Sequence, residues 1–319
     1  MRMRQGDRTT KNGFALVVVI WGLGIIALLI ISFMTTARLR LQSAFNIAGT
    51  AQATLLADAA INIAILGLLT EQGHSASPTG RLVHGGEPYY CALPGAIAAI
   101  VIEDEGGKVD LNGASQELLR ALTEGFGMDR PEADRLTTNV VAYRAASTGD
   151  QKITDADYAE SNRPFGPKHA LFQTALELDQ VVGVEPNLFR TLLPFVTVHS
   201  RRPKLDPLAA PPALFAALAG FSPEDVQRMA NHPFPNNLDR SDPRFPQTFG
   251  HVSEGGVFLI HAEVLLPNGQ TGLCEAIVDL TSVISGPYAI RELRHGYARY
   301  FDELRTMLKN GLFAALPGC

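Results

Sequence analysis

The sequence predicts an α+β protein in which a long N-terminal helix, partly membrane-spanning, packs on an antiparallel sheet interrupted by a large all-helical insertion. Three observations predict it. An uncharged run extends from Gly13 to Ala37, apolar residues continue at helical spacing well past that run, and two groups of strand-like text flank a long stretch of helical text. The 319 residues suffice for one or two domains with a real core. The hydrophobic content of 46% is that of a globular chain, and the net charge of −5 gives no broad basic field for nucleic acid.

The N-terminal element comes first. Residues 1–13 carry Arg2, Arg4, Arg8 and Lys11 against Asp7 alone, and they predict a basic leader left on the cytoplasmic side. The apolar core Phe14–Met34 has 21 residues, and a bilayer needs about 20. A secretory signal has a shorter apolar region of about 7–15 residues, so the run is an uncleaved anchor or follows a leader cut before it. Val17, Val18, Trp21, Gly22 and Gly24 are the candidate positions for packing against other membrane helices, where small residues let backbones approach. Beyond the membrane, Leu41, Phe45, Ala48, Leu55, Ala59, Ile63 and Leu66 recur at spacings of three, four and seven. The stripe predicts that Leu55, Ala59, Ile63 and Leu66 face the sheet. Gly73 and Pro78 end the helix, so residues 14–72 form one element, roughly 80 Å long from Phe14 to Leu69 at 1.5 Å per residue.

Strand-like runs at Pro88–Leu93 and Ala96–Glu103 place the first part of the sheet in residues 80–108. The runs Gly256–Leu266 and Thr271–Leu280, joined by the turn Pro267-Asn268-Gly269, form a hairpin in a second part, residues 250–296, with Tyr288–Leu293 as an edge strand. Residues 109–245 form the helical insertion. Within it Asp110–Leu122 resembles Asp206–Leu218 at an offset of 96 residues. Ser115 is a candidate N-cap, and Pro211-Pro212 suit a helix start. Three glycine hairpins follow helical text, at Gly125-Phe126-Gly127, Val182-Gly183-Val184 and Ala219-Gly220-Phe221. Residues 297–319 form a helical tail, with the helix at Tyr300–Ala315.

Enzyme chemistry finds no foothold. HExxH, GxSxG, a Walker loop and a dinucleotide fingerprint after a strand are all missing from the sequence. The eight histidines, His261 among them, are scattered and read as loop or surface residues, and Glu103-Asp104-Glu105 beside Gly106-Gly107 reads as a solvated turn. The cysteines Cys91, Cys274 and Cys319 have no zinc spacing. Cys91 and Cys274 lie in strand-like text and either pair after export or stay as buried thiols, and the odd count leaves at least one thiol unpaired. The glycine hairpins raise one alternative, a membrane-anchored helix-hairpin-helix DNA receptor. Against it, acids follow each hairpin (Asp129, Glu185, and Glu224 with Asp225), and in residues 109–245 18 Asp and Glu outnumber 14 Lys and Arg.

Gly13-Phe14 followed by an apolar helix resembles the processing site of type IV pilin-like proteins. The resemblance implies that a prepilin peptidase cuts after Gly13 and methylates the amine of Phe14. Most such subunits carry Glu at the fifth mature position, where this chain has Val18, and its absence resembles the K-type minor pseudopilin of type II secretion systems. Asp104–Leu122 resembles that family's entry to its inserted helical domain, and Ala170–Val198 its central helical hairpin. The resemblance runs from Gly13 to about Gly296. It implies a single-pass protein of the bacterial inner membrane with its head in the periplasm. It also implies a place at the pseudopilus tip, where the chain helps initiate assembly and protein export, with I- and J-type minor pseudopilins as partners and no nucleic acid. Family members carry a Trp-Arg-Asp segment and an acidic stretch linked to calcium. Here Tyr143-Arg144-Ala145 stands in that place, and Asp150, Asp155 and Asp157 are the candidate ligands for a shifted calcium site.

Overall fold

A computed structural model of the chain describes residues 11–73, 86–146, 155–160, 165–231, 238–252, 255–281 and 286–319. Helix α1 runs unbroken over Lys11–Gly73. Strands β1 (Tyr89–Leu93) and β2 (Ala96–Asp104) follow, then β3 (Val109–Asp110). The helical insertion contains α2 (Gln116–Gly125), α3 (Arg130–Arg144), α4 (Asp155–Glu160), α5 (Pro186–Leu192), the short strand β4 (Val196–Thr197), α6 (Pro212–Leu218) and α7 (Pro223–Asn231). Strands β5 (Val257–Leu265), β6 (Thr271–Asp279) and β7 (Ala289–Arg294) close the sheet, and α8 (Phe301–Lys309) lies in the tail.

The main sheet has the order β1-β2-β5-β6-β7, antiparallel throughout. The helical insertion therefore leaves from β2 and returns to its immediate neighbour β5, and the sheet closes as if the insertion were a long loop. Alternation along each strand sorts the side chains between two faces. Ala98, Ile100 and Ile102 of β2, Ile260, Ala262 and Val264 of β5, and Cys274, Ala276 and Val278 of β6 point toward α1. Ile97, Ala99 and Leu265 point the other way and receive Leu304 of α8.

The face that α1 turns to the sheet consists of Ala53, Ala57, Ala60, Ile61, Ala64, Ile65 and Leu68. This corrects the expected stripe. Leu55 and Leu66 are 68% and 62% exposed, and Ala59 and Ile63 are half-buried at the flank. Size matters where the face meets β6 most closely. A Cβ at Gly272 of β6 would lie 2.1 Å from the Ala53 carbonyl oxygen, so helix and strand backbones meet closely where only small residues fit. Leu55, two residues from Ala53, is turned outward there, whereas Ile61, Ile65 and Leu68 are buried further along the helix.

The insertion has its own core, with Leu118, Leu122, Leu136, Tyr143, Leu192 and Phe215 among its buried residues. Ser115 and Asp129 cap α2 and α3 by accepting from the amides of Leu118 and Glu132. The internal repeat has a structural counterpart. Asp110 and Asp206 are both buried and accept from backbone amides just downstream, those of Asn112 and Gly113 and that of Leu208. The helices that follow, α2 and α6, pack together so closely that a Cβ at Gly125 would lie 2.7 Å from the Ala217 Cβ. In the three hairpins Gly127, Gly183 and Gly220 adopt positive φ, whereas Gly125 ends α2 and serves close packing. A small parallel pairing of β3 with β4, absent from the sequence reading, ties the entry of the insertion to its centre.

Candidate functional site: an exposed apolar helix and a buried ionic junction

Two regions carry chemistry that a folded core alone does not need. The first is the N-terminal half of α1. Within Phe14–Thr70 an 18-residue window has a mean hydropathy of 3.1, and none of that window is buried within the chain. Phe14 is 75% exposed, Trp21 72%, and Val17 and Val18 are likewise exposed. A Cβ at Gly22 or Gly24 would meet nothing within 4 Å. The candidate packing residues thus touch no part of the head and are left to lipid or to other chains. The Gly13–Phe14 bond lies inside the first turns of α1.

The second region lies where the sheet, the insertion and the tail meet. Lys108, 4% exposed, binds Glu103 Oε2 and Glu105 Oε1, each at 2.8 Å. Thr197 of β4 donates to Glu105. Glu105 is buried, so the acidic segment after β2 is not a solvated turn: Lys108 compensates its charge and the insertion covers it. Burial would raise the Glu103 carboxyl, but Lys108 and Arg299 outweigh it and hold the group well below the carboxylate range. The same pair of acids keeps Lys108 charged against its burial.

His261 is also a correction, for it is 1% exposed. Its Nδ1 lies 2.8 Å from Glu275 Oε1 and its Nε2 lies 2.9 Å from Glu263 Oε1. Arg294 Nε donates to Glu275 Oε2 at 2.9 Å, and Arg299 Nη1 donates to Glu103 Oε1 at 2.8 Å. Burial pushes Glu275 up; His261 and Arg299 overcome it and bring the carboxyl down to about 2. Glu292 of β7 accepts from Thr174 of the insertion and lies 3.4 Å from His199 Nε2. The only sequence signal for this junction was the spacing of His261 and Glu263, which puts both on one face of β5; their partner Glu275 becomes visible only with the β5–β6 register, where it lies opposite His261.

The third feature is covalent. Cys91 pairs with Cys319, not with Cys274, which stays a buried thiol. Cys91 and Cys274 both point toward α1, but they sit on strands separated by β2 and β5, while the tail brings Cys319 to the β1 edge. There the Ala92 amide donates to Pro317 O, and the Cys319 amide donates back to Ala92 O.

The calcium candidates are not brought together by anything described. Asp150 lies outside the described residues, and Asp155 and Asp157 lie on α4 with side chains that are likewise outside them. Among the described residues no group of three or more His, Cys, Asp or Glu is placed to hold a metal ion. In place of the Trp-Arg-Asp segment, Arg144 donates to the carbonyl oxygens of Leu111 and Ala114 and so braces the approach to α2.

Comparison with known proteins agrees with this architecture. The family model for the first domain of type II secretion system protein K matches residues 98–201, from β2 through the middle of the insertion. No curated relative matches the chain. A solved chain in the crystal structure of the GspK-GspI-GspJ complex from the enterotoxigenic Escherichia coli type 2 secretion system shares the fold. Its TM-score is 0.57 at 15% identity, covering 82% of this chain and 100% of that one. Neither comparison supports the DNA-receptor alternative, and the matched family is a structural component of a secretion system. Over residues 98–201 the chain is thus similar in sequence to type II secretion system protein K, and over most of its length it is similar in fold to a chain of the GspK-GspI-GspJ complex.

Proposed function

We propose that the protein caps the tip of a periplasmic pseudopilus, helps to initiate its assembly, and so supports protein export across the outer membrane. The observation that carries this reading is the division of α1: an exposed apolar half continues without interruption into a half that is built into the head. The bulk of the insertion suits a terminal position, because a further subunit would have to be stacked over it. The chain is read as an inner-membrane protein with its head in the periplasm, and the Cys91–Cys319 disulfide suits that oxidising compartment. Its partners are I- and J-type minor pseudopilins, the kind of complex to which the matched solved chain belongs. The candidate packing residues Val17, Val18, Trp21, Gly22 and Gly24 meet the partners' helices in the membrane.

Maturation belongs to the same proposal. A prepilin peptidase removes residues 1–13, and the mature chain begins at Phe14. N-terminal sequencing of protein from cells containing the peptidase gives Phe14; an intact Met1 reduces the segment to a simple anchor. Isolation of the membrane-assembled protein yields the I- and J-type subunits in a stable complex. Recovery of the chain along the whole filament, mixed with its major subunit, sinks the tip assignment.

A further inference from the structure

We infer that the C-terminal segment is a latch on the sheet, held closed by the proton on His261 and kept from leaving altogether by the disulfide at its end. The inference is independent of the tip assignment and rests on four observations around one buried ring.

First, both ring nitrogens of His261 face carboxylate oxygens, Glu275 Oε1 at 2.8 Å and Glu263 Oε1 at 2.9 Å. A neutral imidazole donates through one nitrogen only and would turn a lone pair toward the other carboxylate. The imidazolium donates through both, so the geometry assigns the charged ring at a site 1% exposed. Second, Glu263 is the group that holds the latch. It accepts from the backbone amides of Arg299 and Tyr300 as well as from His261. Third, the surrounding charges need the proton. Glu263 on β5, Glu275 on β6, Glu292 on β7, Glu103 on β2 and Glu105 after it outnumber the permanent cations Lys108, Arg294 and Arg299. Burial opposes the charged ring, and so does Arg299, 3.5 Å from Glu275, but the hydrogen bonds to Glu263 and Glu275 outweigh both. The balance leaves His261 above its ordinary value. Fourth, the latch covers something. Behind Tyr300, whose ring stands edge-on 6.1 Å from His261, the residues Leu304 and Phe301 lie on Ile97, Ala99 and Leu265.

The sign follows from linkage. A histidine raised in the closed form stabilises closure fully below about pH 6.5, and the contribution is lost as pH rises through the raised value. Loss of the proton leaves Glu263 and Glu275 facing an uncharged ring, and the tail amides lose part of the field that fixes Glu263. The segment then lifts from Ile97, Ala99 and Leu265. Cys319 remains bonded to Cys91, so opening bows the segment out without freeing it. Tyr300 does not titrate in this range, because burial pushes its phenol up to about 12.

Hydrogen exchange on the full-length protein in detergent micelles tests the latch, with rates corrected for the intrinsic pH dependence of amide exchange. Between about pH 6 and about pH 9.5, protection of Phe301–Leu308 should fall by roughly tenfold or more, while Leu118–Leu122 in the insertion keep theirs. His261→Gln should show the low protection at both pH values. Tail protection independent of pH, or an equal loss across the insertion, overturns the inference. Should His261→Gln fail to fold, the wild-type profile decides alone, with the His261 ring titration followed by NMR: a ring already neutral at pH 6 also overturns it.

Discussion

At the scale of single residues, the direction in which a side chain leaves α1 separates what the helix gives to the head from what it leaves outside. Leu66 and Leu68 are two positions apart, yet Leu66 is 62% exposed and Leu68 is 2% exposed. Leu68→Ala should cost about 2–5 kcal/mol, because it removes a buried side chain from a packed face. Leu66→Ala should change stability by less than about 0.5 kcal/mol. Chemical denaturation of the two variants measures the difference directly, and equal losses would contradict the orientation of α1. The sequence stripe pointed to Leu66 because periodicity finds apolar residues irrespective of size. The alanines that make the contact, Ala53, Ala57, Ala60 and Ala64, are weak signals on any hydropathy pattern. What selects Ala53 is the close approach of Gly272, a residue more than two hundred positions away.

At the scale of elements, the strands and the β5–β6 hairpin were legible, since alternation and the Pro-Asn-Gly turn are local signals, whereas the pairing of β2 with β5 across the insertion has no local mark. The junction was not. Glu103, Lys108, Glu275 and Arg299 are distant in sequence, and each alone reads as a solvated charge. The tail was legible as a helix, but its anchor was not, because nothing local marks Cys319 as the partner of Cys91. Two tests belong to this scale. Glu275 is held down to about 2, so its contribution is present above the ordinary carboxylate value of about 4.3 and is lost as pH falls toward 2. Glu103 acts in the same direction. Thermal melting at falling pH should therefore show the midpoint dropping steeply below about pH 4. A melting temperature that stays flat down to pH 3 would contradict the ionic junction. Cys319→Ser should destabilise the protein by about 2–5 kcal/mol, with the tail affected first. Protease digestion reads this as early cleavage near Gly311, and a cleavage pattern identical to wild type would show that the disulfide is dispensable for docking.

At the scale of the whole molecule, the chain divides by solvent. The membrane half of α1 contributes nothing to the cores of the head, whose helix residues begin at Ala53. Removal of residues 1–34 should release a soluble head that melts cooperatively. Size-exclusion chromatography and calorimetry check it, and aggregation of the truncated chain would mean that the head depends on its anchor. The insertion was readable as helical and as a separate block. Its repeat was readable too, although the reason for it was not: Asp110 and Asp206 each fix the backbone ahead of a helix, and α2 and α6 then pack on one another.

The unbroken course of α1 has a mechanical consequence. Lys11–Gly73 contains no proline and runs as one unbroken helix through its glycines. About 95 Å of shaft at 1.5 Å per residue turns as a unit. The angular phase between the membrane face of Trp21 and the sheet face of Ala53 is thereby written into the count of residues between them. Each added or deleted residue would rotate one face against the other by about 100°. A torque delivered by neighbours in the membrane would arrive at the sheet undamped, as a twist of the entire head.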